Sequence, residues 1–262
     1  MAESFSLALT NSLNEVKEAL PKDFNTTRFV QNAVALLNDN TGLQNFAKQN
    51  GTGQIKSGMM KAAYLGLDFM NKEAYLIPYG NQLQFLTDYR GAVKLSKKYS
   101  IRPIKDIYAK VVREGDDFQE SIENGEPTIE FKPKPFNDGK IVGAFAVCLF
   151  KDGGMMFDTM SLADLENTRK SSKASGSPAW KNFTAEMYKK TVLHRLCKHI
   201  EIDFDSPEQY RYFNEDLQIA SVEEQVANDI SENANKTEFV MPEEVVVDAE
   251  VVETTDVPEF MK

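Results

Sequence analysis

Cysteine and histidine are nearly absent: the chain has two of each in 262 residues. Cys148 and Cys197 stand in apolar surroundings and read as reduced core residues rather than as a disulfide framework. With His194 and His199 the only histidines, and no Gly-x-Ser-x-Gly turn, a hydrolase triad has no support. On a helix, His194 and Cys197 share a face but His199 does not, and no second ligand pair accompanies them, so packing outweighs a metal site. No apolar run approaches the roughly 20 residues of a membrane span. The start, MAESFSLALT, is too short and too polar for a signal peptide. The expectation is a soluble, cytoplasmic protein. A complete phosphate loop is also missing. GTGQIKSG at 51–58 has Ile55 and Asn50 where the two glycines of that loop would stand, and it follows a helical region rather than a strand.

Positive charge is scarce overall but not where it matters. The formal net charge is −10. Residues 201–262 hold 18 acidic and 3 basic residues, a net of −15, while residues 1–200 hold 22 acidic and 27 basic, a net of +5. A mildly basic body joined to an acidic tail hints at nucleic-acid binding with a separate partner segment; the plainer alternative is a globule with a solubilising tail. The length allows one sizeable core. We divide the chain into residues 1–205, a core that carries the basic excess, and residues 206–262, a C-terminal helix with an acidic, disordered, partner-binding tail.

Along the chain, Ser12 to Leu20 reads as a short amphipathic helix ended by Pro21. Thr26 or Thr27 caps a second, with Phe29, Val30, Ala33, Val34, Leu36 and Leu37 as its apolar face. A polar stretch from Asn38 to Gly53 reads as a connection. Ser57 opens a third helix that Gly66 stops. Residues 101–113 and 128–132 read as strands, and 141–150 as the central strand. Lys151-Asp152-Gly153-Gly154 is a hairpin turn, after which 155–160 pairs back. Ser161 and Asp164 make a capping box. KSSKASGSP at 170–178 is a loop, Trp180 to Ile200 a long helix, and Ser206 caps a last helix reaching about Ala227. No internal repeat is present.

The most informative stretch is 65–98, LGLDFMNKEAYLIPYGNQLQFLTDYRGAVKLSKK. Tyr75, Ile77 and Tyr79 alternate as a strand. Gly80-Asn81 or Asn81-Gln82 forms a tight turn, and Leu83, Phe85 and Thr87 continue as the second strand. Arg90, Lys94, Lys97 and Lys98 then fall on one helical face, and Lys190, His194 and Lys198, with Arg195 nearby, give a second cationic stripe. Cations aligned beside aromatics suit a single nucleic acid strand, with phosphates along the cations and bases on the rings.

The runs LGLD, EAYLIPYG and DYRGAVKLSKK, with EGDDF at 114–118, GAFAVCLFKDGG at 143–154 and SPAWKNFTAEMYKKTVLHRLCK at 177–198, resemble the RecT/Redβ-type single-strand annealing proteins of phages and prophages. The resemblance covers roughly residues 30–200 in order. It implies that residues 1–205 form an oligomerising core, ring or helical filament, that binds single-stranded DNA, anneals complementary strands without ATP in phage-type homologous recombination, and holds the annealed duplex. It further implies a phage exonuclease and the host single-strand-binding protein as partners.

The expected fold is α+β: a small antiparallel sheet with β-hairpins packed against several helices. The candidate DNA contacts are Lys72, Tyr75, Phe85, Arg90, Lys94, Lys97, Lys98, Arg102, Lys110, Trp180, Lys190, Arg195 and Lys198. For Tyr75 and Phe85 the core is the commoner place. No cofactor is required in this reading, and Mg²⁺ enters only as a modulator of DNA binding. Two rivals remain: an acidic-tailed protein-binding adaptor, and a Mg²⁺-dependent nuclease built on Asp117, Glu130 and Lys132, whose last two members share a strand face as metal-assisted hydrolysis requires. Incubating end-labelled single strands with Mg²⁺ separates nuclease from annealing protein.

Overall fold

The computed structural model describes residues 2–217 apart from 124, 173 and 174. The fold is α+β, with small antiparallel sheets among the helices. Three apolar cores organise it. The first gathers the helices α1 (Ala2–Glu15), α2 (Thr26–Asp39), α3 (Thr41–Asn50) and α4 (Gly53–Leu65) with the hairpin β1 (Ala74–Tyr79) and β2 (Gln82–Thr87). Helix α5 (Tyr89–Tyr99) closes it with Leu95 and Tyr99. The second lies beneath a three-stranded sheet and the third above it.

In α1, Phe5, Leu9 and Leu13 recur every four residues and are 2, 0 and 0 % exposed, so the helix starts well before the expected Ser12. Asn25, not a threonine, caps α2, its side chain accepting from the Arg28 amide. The polar stretch after Asn38 holds a whole helix. Asn40 caps α3, which buries Leu43, Phe46 and Ala47; three apolar positions among ten were too few to announce it. Helix α4 begins at Gly53, so Ser57 lies inside it, and Gly66 ends it at φ +67.

The sheet order is β3 (Ile104–Arg113), β6 (Ile141–Phe150), β7 (Met155–Ser161), with the expected central strand in the middle. Because β6 is covered on both faces, it reads as an unbroken apolar run. Ala144, Ala146, Cys148 and Phe150 face the second core, made with α6 (Leu162–Ser171), α7 (Pro178–Asn182) and α8 (Thr184–His199). Phe145, Val147 and Leu149 face the third core, under a separate hairpin of β4 (Asp117–Glu123) and β5 (Glu126–Lys132). Strand β4 is missing from the sequence reading because Phe118 alone among residues 117–122 packs inward, while Ile122 is 76 % exposed. The expected helix from Trp180 to Ile200 is broken at Phe183, where φ −131 separates α7 from α8.

The last described helix, α9 (Pro207–Leu217), returns to the first core through Phe213 and the fully buried Gln209. Gln209 Nε2 donates to the Tyr64 carbonyl at 2.9 Å and to Tyr99 Oη at 3.2 Å, satisfying an orphan carbonyl of the last turn of α4. Through these two residues α9, on the far side of the division drawn after residue 205, packs on the first core. The expected extension of this helix to Ala227 and the acidic tail lie outside the described residues.

Candidate nucleic-acid interface

Helix α5 is pressed against the β1–β2 hairpin. A Cβ on Gly91 would lie 2.3 Å from the Glu73 carbonyl oxygen, so only glycine fits there. This contact sends the cations of α5 to different places. Lys94 donates to the Gly66 carbonyl at 2.9 Å and pairs with Glu73 at 2.7 Å. It thus closes the C-terminal end of α4, where a cation also suits the helix dipole. Lys97 pairs with Asp106 at 3.1 Å and Lys98 with Asp23 at 2.8 Å. Lys97 and Lys98 hold both carboxylates below their usual range through side-chain hydrogen bonds. The expected stripe is one helical face in sequence but three ion pairs to three segments in space.

Arg90 behaves differently. Its guanidinium lies 5.9 Å from the Tyr89 ring, and Lys190 of α8 lies 5.8 Å from the same ring. Lys190 also pairs with Asp88, which is 4 % exposed. Tyr75 stands in the same neighbourhood with its hydroxyl pKa raised, first by burial and then by Asp88. Tyr75, Arg90 and Lys190, expected from separate elements, are thus gathered around Tyr89. Tyr75 and Tyr79 are 38 and 40 % exposed on the outer face of the hairpin.

A second basic surface escaped the sequence reading except for Lys110. In the register of the sheet, Tyr108 lies opposite Val147 and Lys110 opposite Phe145, so all four share one face. The β4–β5 hairpin covers the β7 half of that face: the Phe118 and Phe131 rings sit 5.3 and 5.0 Å from Phe145, and Thr159 donates to Glu120. The β3 half stays open as a groove of about 820 Å³. Its lining includes Tyr108, Lys110, Arg113, Phe131, Lys134 and Lys189, with Asp116 as its carboxylate. That carboxylate accepts from Asn137 Nδ2 and from the backbone amides of Arg113 and Lys134, which hold its pKa down against burial. Among the described residues neither Lys110 nor Lys134 has an ion-pair partner, and both are exposed. Lys189 lines the groove while its neighbour Lys190 reaches Asp88, so α8 borders both basic surfaces. The signal that could have found the groove is KPKPFNDGK at 132–140, a lysine and proline run around an aromatic residue.

The other candidates are placed as follows. Phe85 and Trp180 are 9 and 4 % exposed and belong to the cores, so neither offers a ring face to a base. Arg102 holds Asp152 with two nitrogens and stacks 4.0 Å over Phe150, fastening the β6–β7 turn to the start of β3. Arg195 pairs with Asp158 at 2.9 Å. Lys198 is exposed near the end of α8, and Lys72 is exposed in the turn before β1 at φ 57. Of the nuclease residues, Asp117 lies opposite Lys132 in the hairpin register, and Glu130 pairs with Lys132 at 3.6 Å on the solvated face. Among the described residues no three of His, Cys, Asp and Glu gather as metal ligands. Burial raises the Cys148 and Cys197 thiols to about 11, which removes their reactivity. The 51–58 stretch spans the end of α3 and the first turns of α4. No described helix is long and apolar enough to cross a membrane.

Comparison with known sequences decides the affiliation: the profile of the RecT family matches residues 27–238. The chain belongs to the RecT family. It is 29 % identical over 201 residues to Protein RecT of Escherichia coli (strain K12), an overlap that covers 73 % of this chain and 72 % of that protein. In RecT-family terms, the matched span takes in every described strand and both basic surfaces, and leaves α1 and the short 3-10 turn Lys17–Ala19 outside it. It also extends beyond the roughly 30–200 expected from the motifs.

Proposed function

We propose that this chain binds single-stranded DNA without reading its sequence and anneals complementary strands in phage-type recombination, with no nucleotide hydrolysis. The observation that carries the reading is the open groove beside β3, where Lys110 and Lys134 stand exposed with no ion-pair partner among the described residues, Arg113 and the Glu186-paired Lys189 complete the basic wall, and the nearby Asp116 is already hydrogen-bonded from within. Unpaired cations on one face attract a polyanion, and each phosphate bound releases a counterion. Backbone contacts hold the strand while its base edges stay free, so a second strand can test pairing. The annealed duplex is the stable product, so stacking supplies the free energy and ATP has no task.

The second surface, Tyr75, Tyr89, Arg90 and Lys190, extends the path for the strand along α8. One subunit spans few nucleotides, which favours a homo-oligomer, ring or filament, as the working form. A partner exonuclease and the host single-strand-binding protein fit the C-terminal acidic segment better than the groove, because that segment would repel DNA. Mg²⁺ enters as a modulator of phosphate charge, and the cytoplasm, where DNA is, as the compartment.

The test is an annealing assay with two complementary labelled oligonucleotides, run with and without ATP and Mg²⁺. Annealing equal in both nucleotide conditions, with strands left intact, is expected. An absolute ATP requirement, or Mg²⁺-dependent shortening of the strands, overturns the reading. Replacing Lys110 and Lys134 together by Ala should weaken binding to all sequences alike and lower the salt slope by about two.

A further inference from the structure

The loop joining β5 to β6 carries Phe136, whose side chain is fully exposed at 101 % and whose backbone is left-handed at φ 52. Either feature alone is uncommon for a bulky aromatic, and together they need a support. The support is a tight net. Asp116 accepts from the Lys134 amide at 3.0 Å and from Asn137 Nδ2 at 2.7 Å. Asn137 Nδ2 also donates to the Glu114 carbonyl, its oxygen accepts from the Gly139 amide, and Arg113 Nη1 donates to the Gly139 carbonyl at 2.7 Å. Pro133 and Pro135 stiffen the approach. The loop is therefore pre-organised, and what it presents is one ring with nothing packed on it. Lys134 and Asn137, the residues two before and one after that ring, both line the basic groove.

We propose that Phe136 is a stacking post for an unpaired base of single-stranded DNA whose backbone lies along Lys110, Arg113 and Lys134. This rests on the groove reading above and adds to it the place where a base is held. The occupant follows from charge and shape: the ring stands on a loop whose charges are Lys134, Lys140 and one carboxylate, Asp138, beside the basic groove, where an apolar protein surface would have to desolvate them. A nucleotide instead brings a flat π face and an anion together. The ring's fixed position keeps the ordering cost of stacking low.

The experiment compares binding of a fluorescein-labelled oligothymidylate with an abasic oligomer of equal length and charge. Phe136→Ala should bind oligothymidylate about five- to a hundred-fold more weakly, with the salt slope unchanged, and bind the abasic oligomer like wild type. Phe136→Trp should keep wild-type affinity, and its added indole emission should be quenched by oligothymidylate and not by the abasic oligomer; the native Trp180 is buried and supplies a constant background. Wild-type affinity of Phe136→Ala for oligothymidylate, while the Lys110 and Lys134 replacements still weaken it, overturns the stacking post and leaves the groove standing. Equal weakening on both oligomers, with a smaller sedimenting species, also overturns it by making Phe136 a contact between copies of this chain. If the lysine replacements change nothing, the groove reading fails first and the stacking post with it.

Discussion

Lys190 and Asp88 are 102 residues apart in the chain and form an ion pair in which the carboxylate is 4 % exposed. The pair ties α8 to the start of α5 and fixes the lysine 5.8 Å from the Tyr89 ring. Removing the lysine strands a buried charge, so Lys190→Ala should lose stability rather than behave as a surface change. With the lysine side chain itself 36 % exposed, water moderates the loss to about 1–3 kcal/mol. Asp88→Asn combined with Lys190→Met should be milder than Lys190→Ala. Urea denaturation of the three variants checks this; equal stability of Lys190→Ala and wild type would show the pair to be incidental.

Lys94 and Lys110 should separate structure from binding. Lys94→Ala opens the Gly66 carbonyl and the Glu73 carboxylate and should cost about 1–3 kcal/mol, with the salt slope of DNA binding unchanged in the folded fraction. Lys110→Ala is an exposed change and should alter stability by less than about 0.5 kcal/mol while lowering the salt slope by about one. The reverse pattern in a salt series with matched thermal melts would exchange their roles.

His194 predicts an acid limit to stability. Burial, then the charges of Lys198 and Lys190, push its pKa down to about 4 from the ordinary 6.5, with Asp88 opposing. Below pH 6.5 the unfolded chain takes up a proton that the folded chain refuses until about pH 4. Stability should therefore fall as pH drops through that window and level off beneath it, by on the order of 2 kcal/mol for this group. Melting temperatures of wild type and His194→Gln across pH 4–7 read it out: the slope should be shallower in the variant, and parallel curves would assign the acid loss to other groups.

Phe136→Gly offers a trade between stability and binding. Glycine relieves the left-handed backbone at φ 52, and the fully exposed ring gives up no burial. The variant should be more stable by about 1 kcal/mol, since L residues pay about that in this conformation. It should at the same time bind oligothymidylate like Phe136→Ala. Thermal melts and binding on one preparation check both signs; a destabilised Phe136→Gly would show that the ring packs on something.

Local sequence determined the parts whose signals are local. The Gly66 stop, the Asp152-Gly153 turn, the Ser161–Asp164 capping box and the doubly covered strand 141–150 each rest on neighbours within a few residues, and all stand where expected. Gly80-Asn81 proved to be the hairpin turn of the two offered. Helix α3 and strand β4 were not legible, because each buries too few side chains to impose a period. Only the tertiary structure decided what the cations do. A helical wheel aligns Arg90, Lys94, Lys97 and Lys98, but whether a lysine is free depends on carboxylates brought from residues 73, 106 and 23 by packing. The groove is a matter of register: Lys110 faces it because β3 pairs Lys110 with Phe145 and the β4–β5 hairpin stops short of that edge. Charge type is written residue by residue, while charge availability is settled by long-range contacts that no local pattern contains.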